Sequence, residues 1–516
     1  MIAITGGLVL DGTGTEPVAA TVVVDGDRIA DVLPPTSQPA DAEVIDAAGN
    51  IVAPGFIDLH SHADFSVRTS PGATTQLHQG VTTLVTGNCG WSPFPITDLE
   101  SMRTGTAFLD PQHDWSWRDT GEFAASLEPA AVNVALQVGH SALRIAAMGN
   151  AERAPSPDEL RTMQDLLRIA AEQGAVGFST GLIYAPGAYA ESSEVAALVA
   201  TAADCGLLYS THIRNEGAGL LSALDEAMTA ARAAGARLEV SHLKAVGERN
   251  HGLVSTALER LDQARADGLD VTWDVYPYTA SSTTLTARLP TWAMDGGTQG
   301  LLARLADRTE RERIAAALRT GDLFDPDAVV IASVPPGRYE DCRGLSLAEI
   351  ARRDEVDAAE AALRVLEHHR AAVSVVNHAM SEDDLVTVLQ HPCTSVASDG
   401  WILDATGPGH PHPRNFGTFP RVLGRYARDL GVLSLPEAIH RMTSLPASRL
   451  GFSDRGVIKP GAVADLVVLD PSRVADRSTY DDPWQLSVGI EHLLVGGQQV
   501  LTDSVPTGKR PGRVLS

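Results

Sequence analysis

Cysteine is scarce in this chain of 516 residues. The four cysteines are widely spaced and form no CxxC pair, which argues against a disulfide framework. A cysteine with a special role is therefore expected to be a metal ligand or a nucleophile. The four are Cys89, Cys205, Cys342 and Cys393.

The chain also lacks a long apolar run. No stretch approaches the apolar length that a bilayer requires, and residues 1–7 lack the basic start and apolar core of a secretion signal. We therefore expect a cytoplasmic protein with no membrane partner.

Basic residues are too few to balance the acidic ones. Lys and Arg number 40 against 65 Asp and Glu, which gives a formal net charge of −25. A surface of this sign repels nucleic acid and anionic membrane, so neither is an expected partner. Hydrophobic residues make up 44% of the chain and charged residues 20%, which is ordinary for a globular enzyme and argues against extensive disorder.

Short β-rich pieces separated by turns occupy both ends of the chain, at residues 1–53 and 451–516. Neither piece is long enough to bury a sheet face alone, so we predict that they pair into one small β-sandwich domain. Residues 54–450 form a separate unit between them. Within that unit, residues 289–373 are more helical and charged, and we interpret them as an insertion.

Apolar strands alternate with amphipathic helices in the central unit, which indicates an α/β fold. The strand that precedes His60 is the first of eight, the number in a (β/α)8 TIM-like barrel. A doubly wound sheet shares this alternation and stays open as an alternative. The other predicted strands are 82–86, 132–138, 175–179, 207–210, 237–241, 271–275 and 394–398, and three of the helices are 158–173, 193–204 and 220–234.

Potential metal ligands stand where these strands end. The segment Asp58-Leu59-His60-Ser61-His62 places two imidazoles on one face of an extended chain. Two histidines do not complete a zinc site, and the remaining candidates follow other strands. These are Cys89, His212, His242 and Asp399.

Such a set of sulfur, nitrogen and carboxylate donors suits Zn²⁺ better than Mg²⁺ or Ca²⁺, which prefer oxygen. The alternative without a metal is that a single His or Cys is structural or solvated, and that a strand-end Asp caps a helix. Because the candidate ligands follow several strands and would share one rim of the barrel, we favour a metal site over this alternative. We interpret seven other histidines as structural or solvated: His78, His113, His251, His368, His369, His391 and His440.

The order of these ligands resembles that of the amidohydrolase superfamily, and the local sequences look like its D-aminoacylase (N-acyl-D-amino-acid deacylase) branch. The matching stretches run through nearly the whole chain. They include Pro54-Gly55-Phe56-Ile57-Asp58-Leu59-His60-Ser61-His62, Gly87-Asn88-Cys89-Gly90, Gly139-His140, Thr211-His212-Ile213-Arg214-Asn215-Glu216, Ser241-His242-Leu243-Lys244, Tyr276-Pro277-Tyr278, Ser398-Asp399-Gly400 and His412-Pro413-Arg414.

The resemblance implies the roles of the metal ligands. Cys89, His212 and His242 would hold one tight zinc ion, and His60 and His62 a second, weaker position. A thiolate and two neutral imidazoles leave a coordination position for water, as a catalytic zinc site requires. A nucleophilic role for the cysteine is the lesser interpretation.

The resemblance also implies the catalytic and binding residues. Asp399 would take the proton of the attacking water and return it to the departing amine. Lys244, Tyr276 and Arg414 match family positions that hold the α-carboxylate of an N-acyl-D-amino acid. The alternative is that Lys244 and Arg414 pair with structural acids such as Asp404 or Glu239, and that Tyr278 competes with Tyr276.

The expected reaction is zinc-dependent hydrolysis of an N-acyl-D-amino acid with a hydrophobic side chain. A D-glutamate or D-aspartate substrate would need another cation, for which Arg288 and Arg214 are candidates. A cyclic amidase of the dihydroorotase or hydantoinase type predicts a carboxylated lysine, and no lysine stands at a middle strand end. A non-enzymatic metal-dependent scaffold predicts a broken ligand set, and the set is complete.

The pocket for the side chain and the role of one histidine stay open in the sequence. His378 stands where another barrel strand could end. Several apolar and aromatic residues fit a hydrophobic D-side chain: Trp91, Phe94, Leu285, Leu289, Trp292 and Trp401.

Overall fold

Eight parallel strands form the centre of the molecule in the computed structural model. The structure describes residues 1–37, 39–109, 114–127, 129–321 and 324–516. In chain order the barrel strands are Phe56–Asp58, Val81–Thr86, Asn133–Gly139, Gly177–Gly181, Leu208–His212, Leu238–Val240, Val271–Val275 and Thr394–Val396. Each strand pairs with the next in sequence, so the predicted barrel is confirmed.

The barrel closes just beyond the strand ends. Ser61 and Gly400 form a parallel bridge. The backbone N–H of Asp399 donates to the carbonyl of His60 at 2.7 Å, and that of His62 donates to the carbonyl of Gly400 at 2.8 Å. The first and last strands therefore meet at the rim that carries the predicted site.

Helices cover the outside of the barrel. Ser156 and Glu159 form a capping box at the start of Pro157–Glu172, and Leu220–Ala234 has the predicted bounds. Helices of the barrel unit are Thr74–Leu77, Leu99–Thr106, Thr120–Ser126, His140–Met148, Pro157–Glu172, Ser192–Asp204, Leu220–Ala234, Leu253–Ala266, Glu382–Gln390, Arg414–Arg421, Leu435–Met442 and Ser444–Leu450, with a π-helical turn at Val422–Asp429.

The chain ends share a sheet, as predicted. Leu466–Leu469 pairs antiparallel with Ile51–Pro54. The seven strands of this sheet are, in spatial order, Val505–Pro506, Gln498–Thr502, Ile490–Val495, Leu466–Leu469, Ile51–Pro54, Leu8–Val9 and Val18–Ala19. A second sheet consists of Arg28–Leu33, Thr21–Asp25, Ile2–Thr5 and Glu43–Asp46. The domain limits 1–53, 54–450 and 451–516 stay predictions.

The strand predicted before His60 consists of two strands. Ile51–Pro54 belongs to the terminal sheet, and Phe56–Asp58 is the first barrel strand. An ideal Cβ on Gly55, between them, would lie 2.2 Å from the Thr82 side chain, so the chain can pass from one sheet to the other only at a residue without a side chain.

The insertion follows the seventh barrel strand and contains strands as well as the predicted helices. Its elements run from Ser281 to Asn377, beyond the predicted bounds 289–373 at both ends. Ser281–Thr284, Ser374–Asn377 and Val329–Ser333 form an antiparallel sheet, which packs with the helices around a separate apolar core. The helices are Gly297–Ala306, Arg308–Thr320, Leu347–Arg353 and Ala358–His368. None of the described helices combines the length and apolar character needed to cross a membrane.

Asp58 links the first and eighth strand ends. Its carboxylate accepts the backbone N–H of Ser398 at 2.9 Å and the Ser398 hydroxyl at 2.5 Å, in a fully buried position. We expect Asp58→Ala to cost about 2–4 kcal/mol in unfolding free energy, because both donors lose their partner. Asp58→Asn, which keeps an acceptor, should cost less.

Thermal and urea unfolding would measure the effect of the Asp58 variants. Asp481→Ala is the matched control, since Asp481 is exposed. Equal midpoints for Asp58→Ala and the control would contradict a closing role for this carboxylate.

Candidate metal centre and substrate pocket

Six predicted site residues converge at the carboxyl rim of the barrel. His60 and His62 lie just beyond the first strand, Cys89 follows the second, and His212 ends the fifth. The structure groups their ligand atoms, with those of His242 and Asp399, into two overlapping clusters. One contains His60, His62, Cys89 and Asp399, and the other contains Cys89, His212 and His242.

Three of the six residues have a strained backbone conformation. Cys89, His242 and Asp399 have φ values of 53°, 37° and 50°, in the left-handed region that residues with a side chain seldom adopt. Such conformations persist only where the surrounding structure enforces them, and they are typical of functional sites.

The donor set fits a zinc ion. The Cys89 sulfur lies 3.6 Å from His212 Nδ1 and 3.6 Å from His242 Nε2. Sulfur and nitrogen ligands at tetrahedral angles around one zinc lie about 3.6 Å apart, since Zn–S is about 2.3 Å and Zn–N about 2.0–2.1 Å. His60 Nε2 lies 3.3 Å from the same sulfur, so Cys89 is common to both clusters.

The surrounding charges favour the ionised forms of both acidic groups. Burial would raise the pKa of the Cys89 thiol, but His60, His212 and His242 hold it well below its usual range. Burial would likewise raise the pKa of Asp399, whereas Arg414 and His60 keep it well below its usual range. A thiolate is the form of cysteine that binds a metal.

Asp274 is a positioning residue that sequence reasoning missed. Its Oδ1 lies 3.2 Å from His60 Nδ1 and accepts the backbone N–H of His242 at 2.8 Å. Carboxylates in this arrangement orient metal-binding imidazoles. Its place in the seventh barrel strand, Val271–Val275, was the available signal.

Glu216 is the second missed residue. Its Oε1 lies 3.1 Å from His242 Nδ1 and 3.5 Å from His212 Nε2, on the side of each ring away from Cys89. It also accepts from Lys244 Nζ at 2.5 Å. The matching stretch Thr211 to Glu216 contained it, but the sequence alone assigned it no partner.

The three residues predicted to bind substrate lie together. Arg414 donates to Asp399 Oδ2 at 2.7 Å, and its guanidinium carbon is 5.0 Å from the centre of the Tyr276 ring. Lys244 Nζ is 5.8 Å from the same centre. The partners proposed in the alternative are wrong: Arg414 and Lys244 pair with Asp399 and Glu216.

Tyr276 lines the pocket, whereas Tyr278 does not belong to its described lining. The Tyr278 hydroxyl donates to the Pro413 carbonyl at 3.4 Å, and Arg421 stacks on its ring at 4.8 Å. Two tyrosines that are two apart in sequence therefore face different partners, which the sequence could not decide.

The pocket has two lobes that meet at Asp399. The polar lobe is defined by Glu216, Lys244, Tyr276 and Arg288, and the aromatic lobe by Trp91, Phe108 and Trp401. Tyr184, Ser282, Thr283 and Asp399 line both. The Tyr184 hydroxyl lies 3.1 Å from Thr283 Oγ1, so this contact spans the boundary between the lobes.

The two candidate cations differ in their contacts. Arg214 donates to both carboxylate oxygens of Glu226, each at 2.9 Å, and is committed to that pair. Arg288 has no hydrogen-bond or ion-pair partner within the described parts of the chain, and its Nε is buried.

Of the six apolar candidates, Trp91 and Trp401 line the aromatic lobe. Leu289 lines a small neighbouring cavity of about 20 Å³. Phe94 packs on Phe123, and the other two lie in or against the core of the insertion: Leu285 and Trp292.

The unassigned histidine lies away from the barrel rim. His378 follows the insertion strand Ser374–Asn377, is exposed, and has its ring 4.7 Å from that of Tyr480. The strand that ends before His378 therefore belongs to the insertion sheet and not to the barrel. Among the histidines interpreted as structural or solvated, His391 lies 3.1 Å from Asp262, and His113 lies outside the described residues.

Comparison with known proteins agrees with this architecture. The model of the amidohydrolase family matches residues 43–501. An N-acyl-D-glutamate deacylase from Alcaligenes xylosoxydans xylosoxydans is 40% identical over 516 residues, covering 100% of this chain and 96% of that protein. A D-aminoacylase from the same organism is 34% identical over 517 residues, covering 100% and 97%.

A solved structure gives the same picture. The N-acyl-D-glutamate deacylase of Bordetella bronchiseptica, in complex with zinc and a phosphonate inhibitor, superposes with a TM-score of 0.86 at 38% identity. The match covers 100% of this chain and 99% of that one. The resemblance to the D-aminoacylase branch inferred from the sequence motifs is thereby confirmed.

We expect Cys89→Ala to lose most of the bound zinc, because both clusters lose their shared thiolate. Zinc content after dialysis, measured by mass spectrometry on the purified protein, tests this. Cys205→Ala is the matched control, since Cys205 is a free, half-buried cysteine on a helix end. Full zinc retention by Cys89→Ala would show that the thiol is not a ligand.

Proposed function

The chain belongs to the amidohydrolase family, and on that premise we propose that it hydrolyses the amide bond of N-acyl-D-amino acids with hydrophobic side chains. The products are a carboxylate and a free D-amino acid. The observation that carries the proposal is the union at one rim of a zinc-type donor set, a buried Asp399 and a cation-rich lobe. The full-length likeness to deacylases of N-acyl-D-amino acids supports it.

The metal assignment follows the two clusters. Cys89, His212 and His242 would hold the tight zinc ion, and His60 and His62 a second, weaker position beside the shared thiolate. When bound, zinc supplies a Lewis acid for the amide carbonyl and lowers the pKa of water from about 15.7 toward 7.

Asp399 moves the proton. As an ionised carboxylate at neutral pH, it accepts a proton from the attacking water and later returns it to the departing amine nitrogen. Arg414 holds Oδ2 at 2.7 Å, which leaves Oδ1 directed at His62 Nε2, 3.0 Å away. One carboxylate oxygen is thus fixed while the other faces the reacting groups.

The polar lobe receives the amino-acid half of the substrate. Lys244 and Tyr276 of this lobe bind the α-carboxylate together with Arg414, which lines the aromatic lobe next to Asp399. Lys244 and Arg414 each already contact one carboxylate of the protein. Ile183, Val246 and Ala287 line the same lobe and suit an apolar side chain. Arg288 is a further cation in this lobe and assists in binding the α-carboxylate.

Arg288 also supports a second candidate, an N-acyl-D-glutamate or D-aspartate deacylase. Arg288 is half-buried, and its buried Nε has no described partner. Such a group is costly unless an anion joins it, and a side-chain carboxylate of the substrate could do so. A cyclic amidase fits less well. Its carboxylated lysine has no counterpart, because Lys244, the lysine of this pocket, contacts Glu216.

We expect the zinc-loaded protein to hydrolyse N-acetyl-D-leucine and N-acetyl-D-methionine with higher kcat/KM than N-acetyl-D-glutamate, and to leave the L-enantiomers intact. Release of the free amino acid measures the rates. Activity confined to the L forms would refute the stereochemical claim.

Asp399→Asn, which keeps the size but cannot accept the proton, should lower kcat by more than about a hundredfold while zinc stays bound.

Arg288→Met separates the two candidates. If the side chain of the substrate is apolar, Arg288 assists the α-carboxylate, and the variant should lower kcat/KM about ten- to a hundredfold on all three D-substrates. If Arg288 binds an acidic side chain, only N-acetyl-D-glutamate is affected. Arg510→Met, at an exposed position, is the control.

A further inference from the structure

The aromatic lobe continues into a larger cavity. We call this the outer cavity, and its volume is about 430 Å³. It shares five residues with the aromatic lobe: Phe108, Leu109, Ser282, Ser374 and Trp401. The passage from Asp399 to the outer cavity therefore runs along one continuous wall.

The outer cavity has a mainly apolar wall beyond that junction. Its lining includes Val334, Leu403, Pro408, Pro411 and Trp484. Val334 is buried, Leu403 is half-buried and Pro408 is exposed, so the wall leads from the interior to the surface.

The charged groups of this wall are already paired. Arg343 donates to Glu340 at 2.8 Å and to the Val334 carbonyl at 2.7 Å. The two charged side chains of the described lining, Arg343 and Glu340, therefore contact each other, and the buried Arg343 Nε has no described hydrogen-bond partner.

Two polar side chains of the wall, Trp484 and His412, also have hydrogen-bond partners. The Trp484 indole N–H donates to the Gly409 carbonyl at 2.9 Å, and His412 Nε2 lies 2.9 Å from the Ala280 carbonyl. An apolar occupant therefore displaces water without breaking these contacts.

The position of Asp399 decides which half of a substrate lies where. The amine half carries the carboxylate, so it occupies the polar lobe with Lys244, and Arg414 lies next to Asp399 where the two lobes meet. The acyl half then points into the aromatic lobe, past the Tyr184–Thr283 contact. An acetyl group would end there and leave the outer cavity unused.

We propose that the outer cavity binds the acyl chain, and that the substrates of this protein are N-acyl-D-amino acids with an extended aliphatic acyl group of about six to eight carbons. The inference rests on the proposed function for the position of the scissile amide. Each methylene moved from water to an apolar wall is worth about fourfold in affinity.

A chain-length series tests the proposal. N-acetyl-, N-butanoyl-, N-hexanoyl- and N-octanoyl-D-leucine are compared with the zinc-loaded full chain. We expect kcat/KM to rise at least about tenfold from acetyl to octanoyl, as three or more methylenes become buried. A flat or falling series with a good acetyl rate overturns the acyl assignment and leaves the deacylase function intact.

Leu403→Arg places a cation in the apolar wall and should lower the ratio of the octanoyl to the acetyl kcat/KM about tenfold or more. Leu430→Arg is the matched control, since Leu430 is 54% exposed and outside the described lining of the cavity. An unchanged ratio in a folded Leu403→Arg protein contradicts the proposal.

Product binding gives a readout that does not need turnover. By calorimetry we expect octanoate to bind the zinc-loaded protein at least about tenfold more tightly than acetate, and Leu403→Arg to abolish the difference. If no D-substrate is hydrolysed, the proposed function fails, and the binding measurement alone then tests whether the outer cavity holds an acyl chain. Equal affinities for octanoate and acetate would overturn that assignment.

Discussion

The site depends first on the closure of the barrel. The hydrogen bond from the Asp399 N–H to the His60 carbonyl joins residues 339 positions apart and fixes the eighth strand against the first. It holds the carboxylate next to the two imidazoles of the opening motif. Asp58 reinforces the same seam through Ser398, so the chemistry of the rim and the integrity of the barrel share one set of contacts.

Close backbone packing fixes the second half of the centre. An ideal Cβ on Gly181 would lie 1.9 Å from the Cys89 carbonyl, and one on Gly87 would lie 2.0 Å from the Gln137 carbonyl. The loop that carries Cys89 therefore fits against the third and fourth strands only because these two positions have no side chain. The strained φ of Cys89 is maintained by this packing and directs the sulfur toward both clusters.

Much of this arrangement could be predicted from the sequence. Strand-end residues of parallel strands share one rim, so the order of apolar runs was enough to bring His60, Cys89, His212 and Asp399 together. Contacts between side chains that are distant in sequence could not be predicted. The pairing of Lys244 with Glu216, for example, depends on how two separate loops approach each other.

The strands of the insertion also could not be predicted from the sequence. Its composition indicated helices, but three of its segments form an antiparallel sheet with its own core, since strand pairing is decided by packing that local sequence does not report. The strand Ser374–Asn377, which precedes His378 and resembles a barrel strand in composition, belongs to that sheet.

That sheet has a consequence for how substrate preference can change. Ser282, Thr283 and Ser374 come from the insertion and line the pocket, whereas the six metal-centre side chains come from the barrel. Part of the substrate selectivity is thus encoded in a stretch of the chain that is separate from the metal centre. Remodelling the insertion can redirect the enzyme to other amides while the reaction machinery is inherited unchanged.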